Sequence, residues 1–130
     1  MANPNIVNVT SIVGGNAGWL MTTSLVTVLM TATAGSLVKI NSLICTNIHG
    51  TNAATVSLEI NGIGAGATGV TVAANLTTQV RIASTMNVPA DDSLVLIDKP
   101  IYMMENDVLR GGASAASTLE LFASYEIITA

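Results

Sequence analysis

Two residues of this chain, Cys45 and His49, have side chains that could act as a nucleophile and its base. A thiol hydrolase needs an imidazole within reach of the sulfur and a third group that orients the ring. If a strand runs through Cys45, His49 lies at the end of that strand or in the turn with Gly50, and no orienting group is evident. The pattern therefore favours a small packed cysteine and a turn histidine over catalysis, and we expect no enzyme activity.

Residues 64–69, with the sequence GAGATG, match the G-x-G-x-x-G pattern of dinucleotide-binding proteins. That chemistry requires a helix to begin at the glycines, so that its N-terminal amides meet a pyrophosphate. The following residues, VTVAAN, make a poor helix start, and no lysine follows to form a P-loop. We interpret residues 62–69 as a long glycine-rich loop that contacts a partner. Its candidate contact residues are Gly62, Gly64, Gly66 and Gly69.

Most of the acidic residues lie in one short stretch: Asp91, Asp92, Asp98, Glu105 and Asp107. Carboxylate oxygens are ligands that calcium prefers, but the spacing of an EF-hand is absent. Turn formation and solvation explain Asp91, Asp92 and Asp107 equally well. Calcium binding therefore stays open, and we assign no metal ligand and no cofactor.

The strands and loops that carry these residues form a surface with very few charged side chains. The 130 residues include 4 Lys+Arg and 8 Asp+Glu, and 50% are hydrophobic, whereas about a quarter of the residues in a typical soluble domain are charged. Copies of such a surface repel one another weakly, which favours a subunit of a permanent assembly. Four scattered basic residues and a net charge of −4 argue against a nucleic-acid-binding protein, which must neutralise a run of phosphates.

The length of the chain fits a single domain with its own core. Its one cysteine excludes an internal disulfide framework. Residues 20–38 are apolar but are interrupted by Ser, Thr and Gly, so no transmembrane helix is expected. The N-terminus has no basic region followed by an apolar block, which predicts synthesis and folding in a cytoplasm.

The residue types predict an all-β fold, because Val, Ile and Thr dominate while Glu, Lys, Gln and Arg, which populate helix surfaces, are scarce. Turn signals at roughly ten-residue spacing are typical of a single antiparallel β-sandwich, either a jelly roll or an immunoglobulin-like Greek key. The predicted strands are residues 20–30, 37–47, 53–60, 77–88, 93–97, 108–110 and 119–128. The turn signals between them include Gly35-Ser36, Asn61-Gly62, Asp91-Asp92, Lys99-Pro100, Asn106-Asp107 and Gly111-Gly112.

In two of these segments apolar and polar residues alternate, as they do in half-exposed strands. In residues 53–60, Ser57 and Glu59 lie on the predicted solvent face. In residues 119–128, Phe122 and Ile128 interrupt the polar face, and a large outward apolar residue is covered by a loop or by another subunit. We therefore predict self-association through Phe122, together with Met103 and Met104. Trp19 is predicted to plug the core or an interface.

The residues before Gly14-Gly15 mix polar and apolar types without a turn signal. We predict that residues 1–13 form an N-terminal arm that becomes ordered on a neighbouring molecule, and that residues 14–130 form the sandwich. The candidate contact residues of the arm are Asn3, Pro4, Asn5, Ile6, Val7, Asn8 and Val9.

Seven short segments carry a resemblance to known proteins. They are residues 1–9 (MANPNIVNV), 39–43 (KINSL), 88–90 (VPA), 93–97 (SLVLI), 100–102 (PIY), 105–107 (END) and 124–126 (SYE). In these segments the chain resembles a family of small virion structural proteins of tailed bacteriophages. The resemblance implies a β-sandwich of the capsid decoration or cement type, present in many copies. It also implies a homotrimer that binds the major capsid protein on the outer surface of the head.

Two other functions stay open. The same sandwich could serve in a neck, tail or fibre-associated virion subunit, and the copy number per particle separates such a subunit from a decoration protein. The other alternative is a carbohydrate-binding module. Such a module needs exposed aromatic platforms, and the chain has one Trp, two Tyr and one Phe.

Overall fold

The computed structural model describes residues 9–62 and 79–129, which form nine β-strands and no helix. The strands are β1 (Ser11–Leu20), β2 (Val28–Thr31), β3 (Ser36–Asn47), β4 (Ala54–Asn61), β5 (Gln79–Val88), β6 (Ser93–Ile97), β7 (Ile101–Met103), β8 (Val108–Ala113) and β9 (Leu119–Thr129). They pair antiparallel throughout, in two sheets that pack together. The predicted all-β sandwich is confirmed.

The strand order identifies the winding of the sandwich. One sheet has the order β1-β9-β3-β6, with β7 also paired to β3, and the other has the order β2-β8-β4-β5. Strand β1 therefore pairs with β9, β2 with β8, β3 with β6 and β7, and β4 with β5. This nested pairing across two sheets is that of a jelly roll, with β6 and β7 as one interrupted strand. An immunoglobulin-like sandwich would instead keep its first two strands side by side in one sheet.

The core lies between the two sheets and is built from the inward-facing residues of both. Leu43 and Leu121 come from the five-stranded sheet, and Val56 and Leu109 come from the four-stranded sheet, all with exposed fractions of 1% or less. Burial of each such side chain contributes roughly 1.5–3 kcal/mol. Most of the stability of the sandwich therefore comes from this layer.

The first strands differ from the prediction. Residues 11–13, which we assigned to the arm, belong to β1 and pair with residues 127–129 of β9. The predicted strand at residues 20–30 is the end of β1, an irregular segment and the start of β2. In that segment the side-chain hydroxyls of Thr22 and Thr27 are hydrogen-bonded to each other at 2.7 Å. The backbone carbonyl oxygens of Thr22 and Thr27 accept the N–H groups of Ala113 and Gly111, respectively. The threonines therefore form a looped connection against β8.

The pair Gly111-Gly112 was predicted to be a turn and instead lies within β8. A Cβ on Gly111 would overlap the carbonyl oxygen of Ser57, and a Cβ on Gly112 would overlap that of Ser24. Close approach of neighbouring backbones therefore requires glycine at both positions.

Strand β4 is buried on both faces, which corrects its predicted solvent face. Ser57 and Glu59 are both buried. The Ser57 hydroxyl accepts the Thr85 N–H at 2.9 Å, and Glu59 Oε1 accepts a hydrogen bond from Arg110 at 2.7 Å. A buried polar group is tolerated when it is paired in this way.

The predicted turns at the ends of strands are present in several places. Gly62 follows β4 with a φ of 97°, in the conformation that favours glycine, whereas Asn61 is the last residue of β4. Asp91 and Asn106 also have positive φ values, 54° and 68°, as asparagine and aspartate tolerate in turns. These turns connect β5 to β6 and β7 to β8.

Candidate functional site

The environment of Cys45 does not suit a nucleophile. Its side chain is fully buried on the inner face of β3, and burial raises the pKa of the thiol to about 11. The reactive form of cysteine is the thiolate, so this thiol is protonated and inert at neutral pH. His49 is occupied by its own loop, since its Nδ1 accepts the Asn52 N–H at 3.1 Å and the Thr51 N–H at 3.2 Å.

Asn47, which the sequence did not single out, organises the same loop. Its side-chain amide donates to the carbonyl oxygens of Asn52 and Val88, each at 2.9 Å, and its Oδ1 accepts the His49 N–H at 2.8 Å. The side chain is buried with its bonds satisfied. This arrangement ties the β3–β4 connection to the end of β5 and is structural.

The acidic residues are distributed over separate turns. Asp92 accepts the Ser93 N–H at 2.8 Å, Glu105 accepts the Gly35 N–H at 2.7 Å, and Asp107 accepts the Met104 N–H at 3.0 Å. Burial raises the pKa of Asp107, and its hydrogen bond from Met104 opposes that shift. Within residues 9–62 and 79–129, no three His, Cys, Asp or Glu side chains converge on a site that could hold a metal.

Several predicted contact residues lie outside the described residues: Asn3, Pro4, Asn5, Ile6, Val7, Asn8, Gly64, Gly66 and Gly69. Val9 lies just before β1 and is half-buried. Gly62 is exposed, and a Cβ in its place would lie 3.2 Å from the Asn106 carbonyl oxygen. Its φ of 97° lies in the region that favours glycine.

The three residues predicted for self-association differ in solvent exposure. Met103 is fully buried in the core, so its side chain cannot reach another subunit, and this part of the prediction is wrong. A methionine fills a core gap as readily as it covers an interface. Met104 is half-buried. Phe122 points outward from β9 and is 46% exposed.

Phe122 belongs to a continuous apolar row across the outer face of the five-stranded sheet. The strand register places Phe122 opposite Ile44 of β3, and Ile44 opposite Val95 of β6. Val95 is 58% exposed, and Ile44 is half-buried between its two neighbours. Cross-strand neighbours lie close enough for their side chains to touch, so the three residues form one surface, which we call the outer apolar row.

The surroundings of the outer apolar row carry little charge. The neighbouring outward residues are mostly hydroxyls, amides and glycine: Asn16, Gly18, Ser42, Thr46, Ser93 and Ser124. Glu120 lies beside the row, and Lys39 and Glu126 form a long ion pair of 3.9 Å further along the sheet. An apolar centre with a polar rim is the anatomy of a protein–protein interface.

A shallow, open cavity of about 420 Å³ adjoins the outer apolar row. It is lined by Gly18, Trp19, Leu20, Thr46, Glu120, Leu121 and Phe122. Trp19 packs against the core with its ring partly exposed at β1, in agreement with its predicted role as a plug. Glu120 is the single ionisable side chain in this lining, so the cavity holds no acid–base pair.

The candidate site is therefore an exposed, weakly charged face on a jelly-roll sandwich. Comparisons with protein-family models, with curated proteins and with solved structures each find no match to this chain. In the described part of the chain, no helix has the length and apolar character needed to cross a membrane.

Proposed function

We propose that this chain is a non-enzymatic structural subunit of a tailed-phage virion, a decoration or cement protein that binds the major capsid protein on the outside of the head. The observation that carries the proposal is the outer apolar row, exposed on a nearly uncharged face of a jelly roll. Jelly rolls recur in viral capsid proteins. The resemblance of residues 1–9 and of the six other segments supports the same assignment.

The mechanism is mechanical. A packaged head is under internal pressure, and a subunit that bridges neighbouring capsid proteins adds contacts that must break before the lattice opens. Because the subunit binds the assembled lattice and not its separated proteins, binding stabilises the lattice by mass action. The outer apolar row supplies the desolvated centre of that contact, where an aromatic residue contributes most.

The exposed aromatic residues do not favour the carbohydrate-binding alternative. Phe122 and Tyr102 are the exposed aromatics in the described ranges. The register places Tyr102 opposite Lys39 and Phe122 opposite Ile44, so the two rings lie on different rows of the sheet. They therefore do not form a joint stacking platform for a sugar.

Three variants test the proposal, two of them at valines of equal exposure. Val95 lies in the outer apolar row, whereas Val28 lies on β2 of the other sheet, and both are 58% exposed. We expect Val95→Ser, and more strongly Phe122→Ser, to weaken co-sedimentation with undecorated capsids, roughly tenfold or more for Phe122→Ser. Val28→Ser should bind like the unchanged protein. Equal binding by all three variants would remove the outer apolar row from the contact.

A further inference from the structure

Strand β1 is an edge of the five-stranded sheet, and its free side can be assigned residue by residue. The Met21 N–H donates to the Leu119 carbonyl at 2.9 Å, and the register from Ser11 to Leu20 continues without a bulge. Hydrogen-bonded and non-bonded pairs alternate along an antiparallel ladder. The odd-numbered residues therefore bond to β9, and the even-numbered residues point their N–H and C=O groups outward.

The outward groups belong to Ile12, Gly14, Asn16, Gly18 and Leu20. Among residues 9–62 and 79–129, none of these five forms a backbone hydrogen bond outside the strand ladders. An edge with open backbone groups is a template for another strand.

The other three sheet edges carry the features that block such pairing. Strand β2 has four residues, β5 contains Arg81 and pairs with β4 through two register shifts, and Lys99-Pro100 interrupts the edge formed by β6 and β7. Short length, charge, bulges and proline all protect edges. Strand β1 has ten residues, no charge, no proline and no bulge.

We propose that β1 is a self-association site that pairs antiparallel with β1 of a second copy, with Asn16 on the two-fold axis. In this register Gly14 faces Gly18 of the second copy, and Ile12 faces Leu20 of the second copy. The five open residues of each copy then meet one another. The two five-stranded sheets join into one continuous sheet.

The same register covers the apolar residues that β1 exposes. Ile12, Val13 and Leu20 are 60%, 55% and 52% exposed. Ile12 would pack on Leu20 of the second copy, and Val13 on the partly exposed Trp19 of the second copy. One register thus accounts for all three exposed side chains, because β1 is self-complementary about Asn16.

The number of hydrogen bonds and the charge both suit a second copy as the partner. Five residues on each copy, each donating and accepting once, give about ten ladder bonds, the number in a typical stable interface. The chain has a net charge of −4, and pairing through β1 brings no like charges into direct contact because β1 has no charged residue. The glycines of β1 leave the backbone open to approach.

This inference does not depend on the proposed function. It replaces the three-fold arrangement that the family resemblance implies with a two-fold one. A dimer of this form would present both outer apolar rows on a single extended face.

Cysteine cross-linking tests the register in the full-length protein. Residues of a hydrogen-bonded pair have Cα atoms about 5.5 Å apart, within the range for a disulfide. Oxidised Asn16→Cys should therefore form a covalent dimer. Gly18→Cys is the matched control on the same face, since the two copies of residue 18 would lie roughly 13 Å apart along the strands and should not cross-link. The buried Cys45 does not compete.

Sedimentation equilibrium gives a second readout. The unchanged protein should be a concentration-dependent dimer, and Asn16→Pro should raise the dissociation constant at least tenfold. Proline at this position removes an outward N–H and keeps the bonds to β9, whereas Asn16→Ser should dimerise normally. A monomeric full-length chain would overturn the proposal. So would a trimer that Asn16→Pro leaves intact, or equal cross-linking of both cysteine variants.

Discussion

Replacement of Gly111 by alanine is expected to lower the free energy of unfolding by about 3 kcal/mol or more. The added Cβ would overlap the carbonyl oxygen of Ser57 on the neighbouring strand and would press on Leu58. Both obstacles belong to β4 at the centre of the four-stranded sheet, so neither can move without disturbing the ladder between β4 and β8. Urea unfolding followed by the fluorescence of Trp19 measures the change.

Gly14→Ala is the matched control for this prediction. Gly14 lies in β1 with no atom within 4 Å of the position that its Cβ would occupy. In dilute solution its free energy of unfolding should change by less than about 0.5 kcal/mol. A Gly111→Ala protein as stable as Gly14→Ala would show that β4 and β8 do not approach as closely as described.

Replacement of Arg110 by methionine is expected to destabilise the domain by about 3–5 kcal/mol. Arg110 donates to Glu59 Oε1 at 2.7 Å, and Glu59 Oε2 is buried without a hydrogen-bond partner among the described residues. Loss of the guanidinium would leave a buried carboxylate uncompensated. Thermal and urea unfolding of the single variant measure the cost.

A double-mutant cycle separates the pair from its surroundings. Glu59→Leu combined with Arg110→Met removes both charges and should recover most of the lost stability, because an apolar pair replaces a buried ion pair at little cost. Lys39→Met is the surface control. It breaks the 3.9 Å pair with Glu126, whose side chains are about one-third exposed, and should cost about 1 kcal/mol or less. A similar cost for Lys39→Met and Arg110→Met would contradict the account.

Much of the fold follows from local sequence patterns. The bounds predicted for β3 and β6 agree with the structure to within one residue, since β-branched runs between turn signals define them. Features that depend on distant partners could not be predicted in this way. The close approach at Gly111 depends on β4, and the burial of Glu59 depends on Arg110, which lies 51 residues away in sequence.

The candidate site was predictable only in part. Alternation along residues 119–128 correctly placed Phe122 on the outer face. Ile44 and Val95 join it through the register of three strands, and that register shifts once between β3 and β9 and once between β3 and β6, which no local pattern reveals. Ile128 also interrupts the polar pattern but is buried. The edge position of β1 likewise follows from the jelly-roll winding, which places it beside β9 alone.

Capsid binding through the outer apolar row and pairing through β1 are compatible with one geometry, but either proposal can be wrong without the other. Edge pairing through β1 would make a continuous outer surface from two sheets, and that surface would carry two outer apolar rows for contact with a lattice. Two weak contacts on one rigid body bind more tightly than either alone. A dimer without affinity for capsids would leave the pairing intact and remove the capsid role.

The most direct test of the virion assignment is to locate and count the protein on purified particles, by labelled antibody and quantitative protein stoichiometry from the same preparation. We expect many copies, spread over the outside of the head in proportion to its capsid proteins. A few copies confined to one vertex, the neck or the tail would contradict decoration and assign the chain to those structures. Absence from the particle would contradict the virion role itself.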